Sequence, residues 1–393
     1  MFRRKLYESL ENHLTKKQVT VITGLRRVGK STALKHLLNR VESSNKLYFD
    51  LERLENQRLF SQDSYTAIER SMEQRGFDFS KPGVIAIDEI QLVKNSSSLI
   101  KALYDDYGTK FIVTGSSSFY IKNHFSESLA GRKRIFEMHP LDFEEFLAFK
   151  GVAHPSLKKE RWQSYLPEFY ERYLPYYEEF ITYGGLPEVV LAETHEDRIA
   201  YLNDILNSHI ELDVRLLGDL STSDILYKLI LLLSSRVGSK VDYTKIGSLL
   251  GINRLKVKEY IHLLEHTYLI RTIQPFTKGI DKEITKQPKL YFTDNGLLHI
   301  CGQHSSGAQF ENAIANQLYQ QGALNFFEKS SGTEIDFILD KKTAIEVKET
   351  PIEADHKTLL RRSKPLELPE HLLIGRKPAP GGYTNFIWGG SIF

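Results

Sequence analysis

The chain carries a single cysteine, Cys301, among 393 residues. One thiol excludes an intrachain disulfide and a cysteine-built zinc cluster, and it fits a reducing, cytoplasmic compartment. Long hydrophobic runs are missing too. The most apolar stretch, Leu229 to Leu233, is far too short to span a bilayer, so no membrane is expected as a partner. Met1-Phe2-Arg3-Arg4-Lys5 has positive charge but no apolar core behind it, so no signal peptide is expected. Charge of one sign is also lacking. A formal net charge of +2 neither demands nor excludes nucleic acid, and any basic surface must be local. No low-complexity tract or internal repeat is present. What remains is an ordinary globular composition, 41% hydrophobic and 26% charged. The length suits about three or four domains.

Against this plain background one stretch stands out. Gly24-Leu25-Arg26-Arg27-Val28-Gly29-Lys30-Ser31 reads G-x-x-x-x-G-K-S, follows the apolar run Val19 to Ile22, and precedes a helix-compatible segment, Thr32 to Val41. Strand, glycine loop, helix is the order a phosphate-binding loop requires. Glycines let the backbone turn its N–H groups inward around phosphates, and the helix N-terminus adds positive potential. Gly24 through Thr32 are therefore the expected nucleotide contacts. Lys30 is expected to reach the β- and γ-phosphates, and the Ser31 hydroxyl to ligate Mg²⁺.

A second strand is expected at Lys46 to Leu51 and a helical stretch over 52–79. Val84-Ile85-Ala86-Ile87 is a continuous apolar run, typical of a strand buried on both faces, and it ends in Asp88-Glu89. Those two acids are the expected partners of the loop: Asp88 to hold Mg²⁺, Glu89 to polarise the attacking water. Another buried strand, Phe111 to Thr114, runs into Gly115-Ser116-Ser117-Ser118. Thr114 and Ser116 are both candidates to sense the γ-phosphate or to orient the attacking water. Ser116 is preferred because it is expected beyond the buried part of the strand. Strands alternating with helices predict a parallel sheet covered on both faces, with ligands at the carboxyl ends of its strands.

With Ser128-Leu129-Ala130-Gly131-Arg132 and Pro140 to Phe146 added, the motifs resemble the prokaryotic AAA-type P-loop ATPases that carry a C-terminal domain of unknown function. The resemblance covers nearly the whole chain. It implies an AAA+-like core over 1–145, ATP rather than GTP, and Arg132 as an arginine finger, acting within the chain or donated to a neighbouring copy in a homo-oligomer. It also implies a helical lid over 146–220. In related signalling ATPases a Gly-x-Pro in that lid packs against the nucleotide base, and Gly185-Leu186-Pro187 resembles it.

The aromatic residues Phe169, Tyr173, Tyr176, Tyr177, Phe180 and Tyr183 recur at helical spacing, as a core face would, and 196–218 reads as a further amphipathic helix. Over 221–296 a winged helix is expected. Helices at Ile225 to Ser235, Thr244 to Leu250 and Arg254 to His266, with the turn Gly251-Ile252-Asn253, have helix-turn-helix spacing, and strands at Tyr268 to Ile273 and Lys289 to Phe292 would form the wing. Between 254 and 289, eight basic residues (Arg254, Lys256, Lys258, Arg271, Lys278, Lys282, Lys286, Lys289) face four acids (Glu259, Glu265, Asp281, Glu283). Arg254 and Lys258 are the expected contacts to DNA phosphates, with a lid or protein-interaction role as the alternative.

The last segment, 297–393, pairs a helix bearing Glu311 with two period-2 strands, Glu334 to Leu339 and Thr343 to Lys348, joined by Asp340-Lys341-Lys342. A three-residue loop puts 339 opposite 343, so Asp336 and Glu346 face each other with Cβ atoms roughly 5 Å apart. Facing carboxylates repel unless positive charge lies between them, which a divalent metal would supply. Asp, then Glu-x-Lys on the next strand, resembles the PD-(D/E)xK nuclease core, although Ile335 stands where its proline would be. The resemblance implies an α+β restriction-endonuclease-like domain with Glu311, Asp336, Glu346 and Lys348 as its site. Three readings follow: an ATP-driven switch or motor on DNA, an ATP-gated nuclease, and a non-cleaving regulator.

Overall fold

The structure is a computed structural model. It describes residues 2–94, 96–116, 129–153, 165–217, 223–277, 286–302, 304–329 and 332–392. Ser117, Ser118, Ser128, Gly218, Lys278, Asp281, Lys282 and Glu283, which enter the expectations above, lie outside the described residues. The chain divides into two compact units, Met1–His139 with His266–Tyr268, and Pro140–Glu265 with Leu269–Phe393.

In the first unit, five strands form one all-parallel sheet: β1 (Val19–Thr23), β2 (Lys46–Asp50), β3 (Val84–Asp88), β4 (Lys110–Gly115) and β5 (Lys133–Glu137), in the order β2-β3-β4-β1-β5. The three central strands are buried almost end to end, as their continuous β-branched runs predict. The helices between them are α1 (Leu6–His13), α2 (Lys30–Arg40), α3 (Leu54–Phe60), α4 (Tyr65–Gln74) and α5 (Ser96–Tyr107). Leu103, Phe49, Ile85, Ile100 and Phe111 belong to the core on one side of the sheet. The strand register sets Thr23 beside Gly115 and Asp50 beside Asp88. The loop, the two acids and the serine thus leave the same edge of the sheet, at strand carboxyl ends.

The second unit opens with α6 (Phe143–Phe149), α7 (Pro167–Tyr183), α8 (Pro187–Leu191) and α9 (His195–Leu217), followed by α10 (Ser223–Ser234), α11 (Tyr243–Leu250) and α12 (Arg254–His266). A seven-stranded mixed sheet comes after: β6 (Ile270–Pro275), β7 (Lys289–Phe292), β8 (Leu324–Glu328), β9 (Glu334–Leu339), β10 (Thr343–Lys348), β11 (Glu370–Gly375) and β12 (Ile387–Trp388). Helices α13 (Asn295–Ile300), α14 (Ser306–Tyr319) and α15 (Glu353–Ser363) are interleaved with it. Two features were not legible beforehand. The hairpin β6–β7 continues into the sheet of the last segment, because Gln274 and Pro275 pair in parallel with Asn325 and Phe326 of β8. The aromatic face of α7 is a core face, and its partner is the chain's far end: Trp388 meets Phe169, Tyr170 and Tyr177 edge-on, at centroid distances of 5.7, 5.4 and 5.1 Å. Among the described residues no helix is long and apolar enough to cross a membrane.

Candidate active site

The glycine loop is built by one close approach and by left-handed backbone. Gly24 has φ +143°, and a Cβ there would stand 2.1 Å from the Met138 carbonyl oxygen, so only glycine fits. Gly29, with φ 100° and ψ 22°, is the N-cap of α2 and has no side chain to occupy the first-turn N–H groups. Arg27 also takes a left-handed φ of 59°. Arg4 braces the loop by donating to the Val28 carbonyl at 2.9 Å and to the His139 carbonyl at 2.8 Å. Lys30 is buried, and its Nζ donates to the carbonyls of Gly24 and Leu25 at 3.1 and 3.0 Å. Burial pushes its ammonium below the ordinary value, against the attraction of Glu89.

Asp88 ends β3. Its carboxylate accepts from the Thr114 hydroxyl and from the Tyr48 hydroxyl, the latter at 3.1 Å. Glu89 is left-handed, φ 53° and ψ 52°, a strained conformation for a residue with a side chain. Its backbone N–H donates to Thr114 Oγ1 at 3.0 Å, which helps hold that conformation. The Glu89 carboxylate accepts from Gln91 Nε2 and from Ser116 Oγ at 3.1 Å, while Gln91 Nε2 also donates to Ser116 Oγ at 3.0 Å. Burial alone would push the Glu89 carboxyl up. The Lys30 charge and the Gln91 bond outweigh it and hold the group below its ordinary value, ionised at neutral pH.

Thr114 and Ser116 thus have separate tasks: one positions both acids, the other touches the Glu89 carboxylate. Ser116 follows β4 but is only 4% exposed, so it lies within the buried part and not beyond it. Burial is what lets its hydroxyl hold Glu89 at a fixed distance. Gln91 was readable, since it follows the acids by two residues and a 3₁₀ turn, Ile90–Leu92, folds it back. Tyr48 and Arg4 had no local signal. Ser31 and Asp88 offer a hydroxyl and a carboxylate oxygen, a donor set that suits Mg²⁺ completed by phosphates and water.

Arg132 is not brought to this site within the chain. It immediately precedes β5, its carbonyl accepts from the Val19 N–H at 2.7 Å, and its guanidinium pairs with Asp105 at 2.9 Å. Val19 starts β1, whereas the loop leaves the other end of that strand, roughly 15 Å along a parallel sheet. Pro187 belongs to the second unit, where it is the first residue of α8. The glycines before it have a local reason. A Cβ on Gly184 would strike the Asp294 carboxylate at 2.3 Å, and one on Gly185 the Leu141 carbonyl oxygen at 2.3 Å. Asp294 is fully buried and accepts from the N–H groups of Gly185, Gly296 and Leu297. Burial raises its carboxyl to about 6.

Helices α11 and α12 are separated by Gly251, left-handed at φ 68°, then Ile252 and Asn253, whose side chain accepts from the Lys256 N–H at 2.8 Å. Val257, Tyr260, Ile261 and Leu264 are buried on α12, and Arg254 and Lys258 lie exposed on it. The register of β9 and β10 is the expected one, with Thr343 opposite Leu339 and Ile345 opposite Phe337. Around the facing acids, however, side-chain cations supply the positive charge. Glu346 accepts from Lys348 at 2.8 Å and from Arg362 at 3.2 Å, and Asp336 accepts from the Val347 N–H at 2.8 Å. Glu311 accepts from the Tyr291 hydroxyl at 2.7 Å and lies 3.9 Å from Lys289, which pairs with Glu334. Among the described residues no three His, Cys, Asp or Glu side chains are grouped to hold a metal ion, and the Asp336 and Glu346 carboxylates are each engaged within the protein. Burial and the Asp336 charge raise Glu311 to about 7, and burial also raises Asp336 and Glu346. Arg362, on the following helix, was not foreseen.

Residues 16–147 match the family model of an AAA domain, and 174–306 match that of a domain of unknown function, DUF8612. The parallel sheet, the glycine loop and this match make the first unit an AAA-type P-loop ATPase domain. An uncharacterized protein of Haemophilus influenzae is 27% identical over 361 residues, 86% of this chain and 85% of that one. Another, from Methanocaldococcus jannaschii, is 28% identical over 378 residues, 91% of this chain and 82% of that one. Among solved structures, the Walker-type ATPase of Pyrococcus abyssi is 16% identical and covers 77% of this chain and 96% of its own, with a TM-score of 0.46. The ORC1 protein of Aeropyrum pernix, in complex with DNA, is 12% identical and covers 79% and 93%, with a TM-score of 0.31. Such scores lie below the level at which a whole-chain superposition defines a shared fold.

Proposed function

We propose that the protein is a cytoplasmic Mg²⁺-dependent ATPase that works as a nucleotide-controlled switch or motor on DNA. The observation that carries the hydrolytic half is the Glu89 carboxylate, held ionised by Lys30 and Gln91 and fixed by Ser116. A carboxylate so placed accepts a hydrogen bond from water and takes its proton as the nucleophile attacks the γ-phosphate. Lys30 exchanges the Gly24 and Leu25 carbonyls for phosphate oxygens. The N–H groups of Gly29, Lys30 and Ser31 face the same charge. Bound Mg²⁺ neutralises charge on the phosphates, with Ser31 and Asp88 as its ligands in the protein. Ser116 reports the γ-phosphate through its bond to Glu89. Arg132 serves as a finger only when given to a neighbouring copy.

The nucleic-acid half rests on a winged helix whose second helix, α12, exposes Arg254 and Lys258. In the last segment Arg362 and Lys348 already engage Glu346, and that pairing favours the non-cleaving reading over the nuclease. The deciding experiment measures phosphate release from ATP with and without single-stranded DNA, duplex DNA and RNA. Stimulation by DNA that disappears with Arg254→Ala and Lys258→Ala is expected. Turnover that persists in Lys30→Ala overturns the assignment.

A further inference from the structure

The second unit holds an open pocket of about 310 Å³ that none of the roles above uses, lined by Lys329, Gly332, Thr333, Arg361, Arg362 and Pro365. We propose that it binds the phosphodiester backbone of a nucleic-acid strand. Its volume is at the low end of small-ligand sites, about 300–1,000 Å³, but its walls are unlike theirs. Three of the six lining residues carry cationic side chains, and Pro365 is the one with an apolar side chain.

The pocket is built by two elements. Lys329 follows β8 and Thr333 precedes β9. The Gly332 N–H donates to the Lys329 carbonyl at 3.0 Å and the Lys329 N–H to the Thr333 carbonyl at 2.9 Å. Arg361 and Arg362 come from the last turn of α15. Arg362 is anchored by donating to the Glu334 carbonyl at 2.9 Å. Lys329 and Arg361 are exposed, and the Lys329 ammonium lies over the Phe327 ring at 5.9 Å from its centroid, a weak contact that a partner from solution can replace. A peptide carboxylate would bring one negative charge on an apolar stem, and only Pro365 among the lining residues could receive the stem. A phosphodiester brings a diffuse charge with several acceptor oxygens, which the planar Arg fork and the Lys point charge match.

Arg362 gives the pocket a second property. Its Nη1 lies 3.2 and 3.5 Å from the two Glu346 oxygens. A phosphate in the pocket and the Glu346 carboxylate therefore compete for one guanidinium. Binding is independent of divalent metal, since every lining cation is a side chain.

This inference deepens the nucleic-acid half of the proposed function and does not depend on ATP turnover. The test is fluorescence anisotropy of labelled single-stranded and duplex oligonucleotides with the full chain, in chelator, over a range of salt, with inorganic phosphate as competitor. Lys329→Ala with Arg361→Ala is expected to weaken binding roughly tenfold for all sequences and to lower the salt slope by about 2. Glu346→Gln, which removes the competing carboxylate but keeps the shape, is expected to bind several-fold tighter. Both replaced cations are exposed, and a circular dichroism melt checks that the double variant is folded. Wild-type affinity and slope in the folded double variant overturn the proposal. If Arg254→Ala with Lys258→Ala then loses binding, the strand lies on α12 alone. A wild-type chain that binds no oligonucleotide overturns the pocket and the DNA reading together, leaving the ATPase intact. Binding of inorganic phosphate without oligonucleotide overturns the strand as its occupant.

Discussion

Two carboxylate sites in this chain use the same residue types and reach opposite electrostatic states. In the first unit, Glu89 has Lys30 as a near cation and hydrogen bonds from Gln91 and Ser116, and its carboxyl is held below the ordinary value. In the second, Glu311, Asp336 and Glu346 are buried close to one another, and all three are pushed up despite Lys289, Lys348 and Arg362. Burial is the largest influence in both places. What acts beside burial decides the sign. At Glu89 the Lys30 charge and the bonds from Gln91 and Ser116 outweigh burial, whereas at Glu311 and Glu346 the neighbouring Asp336 charge adds to it.

The largest way to break this comparison is at Glu89. Glu89→Gln keeps the hydrogen bonds and removes the base, so ATP turnover is expected to fall about 10²–10⁴-fold while nucleotide still binds. Phosphate release against a fluorescent-nucleotide titration separates the two effects. A loss of binding equal to the loss of turnover would mean that Glu89 holds nucleotide and is not the base.

Backbone geometry comes next. Gly24→Ala forces a Cβ against the Met138 carbonyl at 2.1 Å, and Gly184→Ala forces one against Asp294 at 2.3 Å, both at positive φ. Each is expected to cost on the order of 3 kcal/mol. Only the first should abolish nucleotide binding in the protein that remains folded. Equal effects on binding would show that the glycines before Pro187 matter to the nucleotide directly.

The protonation difference makes a third prediction. Glu311 titrates near 7 in the folded chain against an ordinary 4.5, so the folded state holds its proton more tightly. The stability this contributes is complete below the ordinary value and is lost as pH rises through about 7. Asp294, at about 6 against 3.8, acts in the same direction over a lower window. Glu311→Gln is expected to remove roughly 2 kcal/mol of that fall, read from denaturant midpoints at about pH 5 and about pH 7.5. A slope unchanged by the substitution would place the titration elsewhere.

The smallest effect is expected at Arg132. Its pair with Asp105 is exposed, so Arg132→Ala should change stability by less than about 1 kcal/mol. Turnover at low protein concentration should not change. A deficit that grows as the chain is concentrated would mark donation to a neighbouring copy.

Much of the first site was legible because its parts are contiguous. The glycine loop, Asp88-Glu89 and the strand-end hydroxyls each sit within a few residues, and parallel topology makes strand ends converge. The second site was half legible. Period-2 alternation and a three-residue loop were enough for the β9–β10 register. Arg362 lies on the next helix, and no local pattern points it at Glu346. The choice between the two roles of Arg132 was open for a related reason: a motif shows which residue is present, but the end of the sheet it occupies follows from the direction of β5.

By itself the sequence determined the phosphate loop, the pair of acids that complete it, and the hairpin that sets Asp336 toward Glu346. These depend on local spacing, on glycine's backbone freedom and on strand periodicity. Only the tertiary structure decided which charges share an environment. It brought Lys30 to Glu89, set Ser116 against that carboxylate, and gave Glu346 an arginine from the next helix. The physical reason is that Coulomb interactions and desolvation act through space over a few ångströms, and residues far apart in the chain come within that range only when it folds.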